Sequence, residues 1–228
     1  MTAPRLSGIK ACVFDAYGTL FDYGSAAERC RDALGDRFSA LTTIWRDKQL
    51  QYTWLRTLEG RHADFWQVTS DALDFALETL DIADTALRAR LLDLYLRLEP
   101  FPEVRDVLHE IRSAGFATAI LSNGTHAMLE AAVEHAQLGG LLDAVLSIDE
   151  VGVYKPHPDV YALTTKRFDC ASNAVSFQSA NGWDAWGAAA FGLRVVWCNR
   201  YGQRAERLPE RPDFVVRSLT ELPALLGV

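Results

Sequence analysis

Ala11-Cys12-Val13-Phe14-Asp15-Ala16-Tyr17-Gly18-Thr19-Leu20 decides how this chain is read. A short apolar run leads directly into a carboxylate, and Gly18-Thr19 then interrupts the pattern. That combination predicts a buried strand ending in a functional turn. A carboxylate at the end of an apolar strand is costly unless it is hydrogen-bonded or paired with a cation. Asp15 therefore implies a partner elsewhere in the chain, with capping of the following turn as the structural alternative.

Downstream, short apolar segments alternate with helical ones. Strands are expected over Ala117–Leu121, Ala144–Ile148, Ala174–Phe177 and Arg194–Trp197, with Phe214-Val215-Val216 as a last edge strand. Helices are expected over Ala127–His135, Pro158–Arg167 and Trp183–Phe191, with Leu219–Leu226 closing the chain. Val104, Val107, Leu108 and Ile111 form an amphipathic stripe stopped by Gly115. Buried strands alternating with helices predict an α/β fold: a Rossmann-like parallel sheet covered on both faces. Between Ser25 and Leu98 the character changes. Leu41, Ile44, Leu50, Leu55 and Leu58, with Trp45 and Trp54 among them, recur at helical spacing, as do Leu73, Leu77 and Leu80. Four or so helices and no strand are expected there. The organisation predicted is a discontinuous core of residues 1–21 and 100–228, with residues 22–99 inserted as an all-helical cap.

With 228 residues, 49% of them hydrophobic, the chain can bury one sizeable core and a smaller second one. The net charge of −7 argues against a nucleic-acid partner, which needs a concentrated basic surface. Cys12, Cys30, Cys170 and Cys198 are widely spaced and form no CxxC pair, which reads as reduced thiols in an intracellular protein. Met1 to Lys10 lacks the basic region and long apolar run of an export signal, and no apolar run is long enough to span a membrane. A cytoplasmic location is the expectation. Histidines 62, 109, 126, 135 and 157 show no metal-binding spacing.

Loops leaving the carboxyl ends of parallel strands gather at one edge, where ligands bind. Four polar clusters fall there: Asp15 to Thr19, Ser122-Asn123-Gly124-Thr125, Lys155, and Ser179 with Asn181 and Asp184. Lys155, in the constrained Lys155-Pro156-His157-Pro158, is the cation expected to hold Asp15 ionised and nucleophilic. Gly18 permits close approach of backbone amides, and Thr19 can donate to an anion. Ser122 and Asn123 could bind a substrate carboxylate or a leaving group, or serve as ordinary turn residues. Asn181 and Asp184 could orient a water, or cap the helix they precede. Arg46 lies in an amphipathic helix of the cap, where a solvated face would account for it equally well.

These pieces resemble the haloacid dehalogenase superfamily, and within it the L-2-haloacid (type II) dehalogenase family. The likeness is carried by Phe14 to Leu20, by the cap stretch Trp45 to Arg56, by Leu121-Ser122-Asn123-Gly124, by Val153 to Pro158, and by Asn181-Gly182-Trp183-Asp184-Ala185-Trp186-Gly187-Ala188. The resemblance implies a metal-independent hydrolase without a cofactor, acting on a small 2-haloalkanoate. Asp15 would attack C2 of the L substrate with inversion, and water would release a D-2-hydroxyalkanoate from the aspartyl ester. It implies that Lys155 stabilises Asp15 and that Asp184, placed with Asn181 and Ser179, orients or activates the water. Ser122 and backbone amides after Asp15 would bind the carboxylate, and Arg46 and Asn123 the halide. Tyr17, Leu50, Phe65 and Trp183 match pocket-lining positions, core packing being the other account of each, and Tyr161 matches a polar position near the lysine. Phosphatase relatives carry a second aspartate two residues after the nucleophile as general acid, where this chain has Tyr17. A halide leaves as a weak base and needs no such proton. Gln178-Ser179-Ala180 departs from the usual family stretch, which bears on water placement. A magnesium-dependent phosphatase, or a non-catalytic carboxylate-binding protein, remain the alternatives. The apolar, aromatic-rich cap also suggests a homodimer.

Overall fold

The computed structural model describes residues 5–228, so the first residues of the expected core segment 1–21 lie outside the described residues. Among the described residues, six parallel strands form one sheet in the order β3-β2-β1-β4-β5-β6. They are β1 (Ala11–Phe14), β2 (Ala117–Ser122), β3 (Ala144–Ser147), β4 (Val175–Ser179), β5 (Arg194–Cys198) and β6 (Phe214–Val216). All four residues of β1 are buried, as its central position between β2 and β4 requires. Helices α6 (Val104–Ser113), α7 (His126–His135), α8 (Pro158–Phe168), α9 (Gly182–Phe191) and α10 (Leu222–Leu226) flank the sheet, α6 packing with α10 and α8 with α9. This is the parallel α/β architecture the alternating pattern predicts.

The strand order fixes where the chemistry can sit. From β1 the chain winds outward through β2 and β3, then returns to the other side of β1 to lay down β4, β5 and β6. The topological switch point therefore lies between the carboxyl ends of β1 and β4. Asp15 follows β1, and Ser179 ends β4. β4 runs past the expected stop at Phe177, because Gln178 and Ser179 pair with Val196 and Trp197 of β5.

Between β1 and α6 lie α1 (Ser25–Glu28), α2 (Arg31–Leu34), α3 (Phe38–Glu59), α4 (Phe65–Thr79) and α5 (Thr85–Tyr95), with no strand among them. The first two are single turns that the leucine spacing does not forecast. The long helix α3 packs along α4, burying Leu41, Trp45, Gln49 and Thr53, a strict four-residue repeat. Asp64 and Asp84 cap α4 and α5 by accepting from the backbone N–H of Gln67 and Leu87. The two segments that connect this helical stretch to the sheet are hydrogen-bonded to each other: Asp22 N–H to Glu99 O at 2.9 Å, and Phe101 N–H to Leu20 O at 3.0 Å. No helix among the described residues is long and apolar enough to cross a membrane.

Candidate active site

Asp15 leaves β1 and is only 6% exposed, so its charge must be met by protein groups. Both oxygens are occupied. Oδ1 accepts from Lys155 Nζ at 3.0 Å. Oδ2 accepts from Asn181 Nδ2 at 2.8 Å, Thr19 Oγ1 at 3.1 Å and Ser179 Oγ at 3.4 Å. The turn that delivers these groups needs Gly18, whose φ of +88° is strained for any residue with a Cβ. Thr19 also accepts from Ala180 N–H at 2.8 Å, locking the loop after β1 to the loop after β4.

Lys155 is 1% exposed and serves two carboxylates. Its Nζ reaches Asp184 Oδ2 at 3.0 Å as well as Asp15, and lies 4.9 Å from the centre of the Phe177 ring. Asp184 is fully buried in α9 and takes a second hydrogen bond from Tyr161 Oη at 2.7 Å. Burial pushes the Asp184 carboxyl up, to about 6, with the Lys155 ammonium pulling it back and the nearby Asp15 charge adding to the rise. Asn123 Oδ1 accepts from the backbone N–H of Lys155 at 3.0 Å, tying the loop after β2 to the lysine. Ser122 Oγ accepts from Gly124 N–H at 3.1 Å, which leaves its own proton to donate.

The helical stretch closes this site from above. Arg46 on α3 donates through Nη2 to Asn181 Oδ1 at 3.1 Å, so one amide links Arg46 to Asp15. Arg46 is thus half-buried and engaged, which excludes the purely solvated face. Tyr17 lies between Phe65 and Tyr95, with ring centroids 5.6 and 5.5 Å away. Its buried hydroxyl packs against Gly124, where a Cβ would lie 2.8 Å from the Tyr17 oxygen, so no side chain fits there. Burial raises the Tyr17 hydroxyl well above its ordinary range, and the charge of Asp15 adds to this while Arg46 opposes it. Leu50 is half-buried, one helical turn beyond Arg46 on α3. Trp183 is half-buried and stands edge-on to Trp54 of α3 at 5.5 Å.

The structure thus gathers Asp15, Thr19, Lys155, Ser179 and Asn181 in direct contact, with Asp184, Asn123 and Arg46 one contact further out and Tyr161 behind Asp184. Asn181 gives its amide to Asp15 and the Tyr17 carbonyl, while Asp184 meets Lys155 and Tyr161. Asn181 precedes α9 with extended backbone, whereas Asp184 lies inside the first turn of that helix. Sequence reasoning missed Phe177 beneath Lys155, Tyr95 against Tyr17, Tyr23 beneath the Arg46 guanidinium, and Gln49. The aromatic three are indistinguishable from core residues by pattern. Gln49 carried a signal, being a polar residue on the buried stripe of α3.

Among the described residues no group of three or more His, Cys, Asp or Glu side chains is placed to hold a metal. The two carboxylates that converge are bridged by an ammonium instead.

The model of the haloacid dehalogenase-like hydrolase family matches residues 9–192. The chain is 45% identical over 219 residues to (S)-2-haloacid dehalogenase 1 of Pseudomonas sp. (strain CBS-3), covering 96% of each chain. It is 43% identical to (S)-2-haloacid dehalogenase 4A of Burkholderia cepacia, over 97% of this chain and 96% of that one. Among solved structures, the L-2-haloacid dehalogenase from Xanthobacter autotrophicus with chloropropionic acid covalently bound superposes with a TM-score of 0.90 at 42% identity, over 96% of this chain and 98% of that one. With a buried aspartate at the switch point, a lysine on it and full-length likeness of this degree, the chain belongs to the haloacid dehalogenase-like hydrolase family, as a hydrolase of the (S)-2-haloacid dehalogenase type.

Proposed function

We propose that this protein hydrolyses L-2-haloalkanoates to D-2-hydroxyalkanoates and halide through an ester on Asp15. The observation that carries the reading is a nearly dry carboxylate held by Lys155, Thr19 and Asn181, with Arg46 reaching across to the same asparagine. Three donors crowd Oδ2, whereas Oδ1 meets Lys155, so Oδ1 keeps the lone pair for attack. That oxygen displaces halide from C2 in line. The carbon–halogen electron pair leaves with the halide, C2 inverts, and an Asp15 ester forms. Water then adds to the ester carbonyl, with Asp184 as the group that orients it and accepts its proton. Collapse expels the 2-hydroxyalkanoate oxygen, which takes up a proton, and the Asp15 carboxylate is restored. Arg46 and the Asn123 amide receive the halide. Ser122 and backbone amides after Asp15 hold the substrate carboxylate, while Tyr17, Leu50, Phe65 and Trp183 line the pocket. Ser179 and Asn181 set the geometry of Asp15.

The chemistry asks nothing of a metal: the leaving group needs no proton, Tyr17 occupies the general-acid position, and Lys155 places a positive charge between Asp15 and Asp184. Residues 22–99 act as the cap and residues 1–21 with 100–228 as the core, so that closure excludes water from the ion pairs. A cytoplasmic location agrees with four cysteines that are all free thiols.

Halide release and chiral product analysis with L- and D-2-chloropropionate, with and without chelator, test the reading. Chelator-resistant conversion of the L substrate to D-lactate, lost in Asp15→Asn, is expected, together with a mass increment on the Asp15 peptide. Magnesium-dependent phosphate release without halide release would overturn it, as would tight carboxylate binding without turnover.

A further inference from the structure

Arg46 meets two acceptors, and both are neutral. Nη2 donates to the Asn181 amide oxygen, and Nη1 donates to Gln49 Oε1 at 2.8 Å. The guanidinium carbon also lies 4.8 Å from the centre of the Tyr23 ring. Gln49, one turn on in α3, is 1% exposed, so its amide must be satisfied inside the protein. Its Nε2 donates to Thr69 Oγ1 at 2.7 Å and to Tyr95 Oη at 3.0 Å. Thr69 cannot return that bond, because its own proton goes to the Phe65 carbonyl at 2.6 Å. The Thr69 bond dictates which end of the amide is which: the nitrogen faces Thr69 and Tyr95, and the oxygen accepts from Arg46 and, at 3.3 Å, from Tyr95 Oη. Tyr95 in turn stacks on Tyr17 over the nucleophile, with rings 25° apart.

We propose that Gln49 is a positioning residue for Arg46, holding its guanidinium through an uncharged acceptor so that the full positive charge is left to the departing halide. The inference rests on the reading of Arg46 as the halide-receiving group. A carboxylate at position 49 would fit the same space and hold the same nitrogen, but would neutralise the charge the halide needs. A thioether there would offer Nη1 only a weak acceptor.

The test is single-turnover halide release by the full-length protein from L-2-chloropropionate and L-2-bromopropionate, with inhibition by added chloride. Chloride is the poorer leaving group and draws more on Arg46. Gln49→Glu is expected to slow the chloro substrate about tenfold more than the bromo substrate and to weaken chloride inhibition by a similar factor. Tyr95→Phe removes one partner of the Gln49 amide while keeping the stack on Tyr17. It shifts the same ratio in the same direction by a smaller factor, and stands as the test should Gln49→Glu not fold. A purely structural role would slow both substrates equally, so an unchanged chloro-to-bromo ratio in the folded variants overturns the proposal. Arg46→Lys separates the two levels. If the ratio moves in Arg46→Lys but in neither other variant, only the assignment of Gln49 falls. If Arg46→Lys leaves the ratio unchanged, the halide role of Arg46 falls and this proposal with it.

Discussion

Lys155 places one ammonium between the carboxylates of Asp15 and Asp184, each 3.0 Å away, with almost no water to share the charge. Removing one member of such a buried set leaves uncompensated charge and costs more than the ion pairs contribute net. Lys155→Met should therefore lower unfolding free energy by about 3–5 kcal/mol at neutral pH, measured by denaturant titration. The loss should shrink as pH falls and one of the two facing carboxylates takes up a proton. An unaltered midpoint at pH 7 would contradict it. Asp184 carries a second prediction. Its carboxyl is raised to about 6, so it is protonated below that pH and cannot accept a proton from water. Ester hydrolysis should fall on the acid side of about pH 6 while attack by Asp15 persists. Quenched-flow mass analysis at low pH should then find the Asp15 adduct accumulating, with a burst of halide ahead of slow turnover.

Strand and helix limits follow two kinds of information. The apolar run of β1 marks its own length, but the end of β4 does not: Gln178 and Ser179 read as loop until β1 and β5 are set beside them. That extension brings Ser179 level with the loop after β1 and its hydroxyl to Asp15. In α3 the apolar stripe expected from Leu41, Ile44, Leu50, Leu55 and Leu58 is only partly the buried one: Leu41 is buried with Trp45, Gln49 and Thr53, whereas Leu55 and Leu58 are exposed, because packing against α4 selects the four-residue repeat. Helix α5 ends at Tyr95, so its placement sets the Tyr17 stack and the Gln49 network. Its start depends on Asp84, whose side chain accepts from Leu87 N–H at 2.9 Å. Asp84→Ala should cost about 1 kcal/mol of stability in thermal or denaturant unfolding and leave turnover at 25 °C unchanged. A loss of turnover without a loss of stability would show that the cap does more than start the helix.

Across the whole molecule, the helical stretch is joined to the sheet by its paired connectors and by a few polar contacts. Beyond Arg46 to Asn181, Tyr154 Oη donates to the Ala63 carbonyl and Tyr154 N–H to Thr57 Oγ1. Its outer surface leaves Leu55, Leu58 and Phe75 at 45%, 84% and 37% exposure, all on α3 and α4. Exposed apolar side chains favour association, and the homodimer expected from the cap would bury them. Sedimentation across a dilution series should give the dimer mass, and Leu55→Glu with Leu58→Glu should give the monomer. A wild-type monomer at every concentration would refute it.

The sequence by itself determined the order of strands and helices, the inserted helical stretch, the carboxylate at the end of the first strand and the four loops that carry polar groups. Those are written in apolar periodicity and turn residues, which act over a few neighbours. Only the tertiary structure decided which of those groups touch. Arg46 reaches a residue 135 positions away, Asn181 gives its amide to Asp15, and Lys155 is shared by two acids. Such contacts depend on where the switch point and the packing of α3 against α4 and α5 leave each side chain. No local pattern encodes that distance, and a buried glutamine reveals its use only when the neighbours that exhaust its nitrogen are in place.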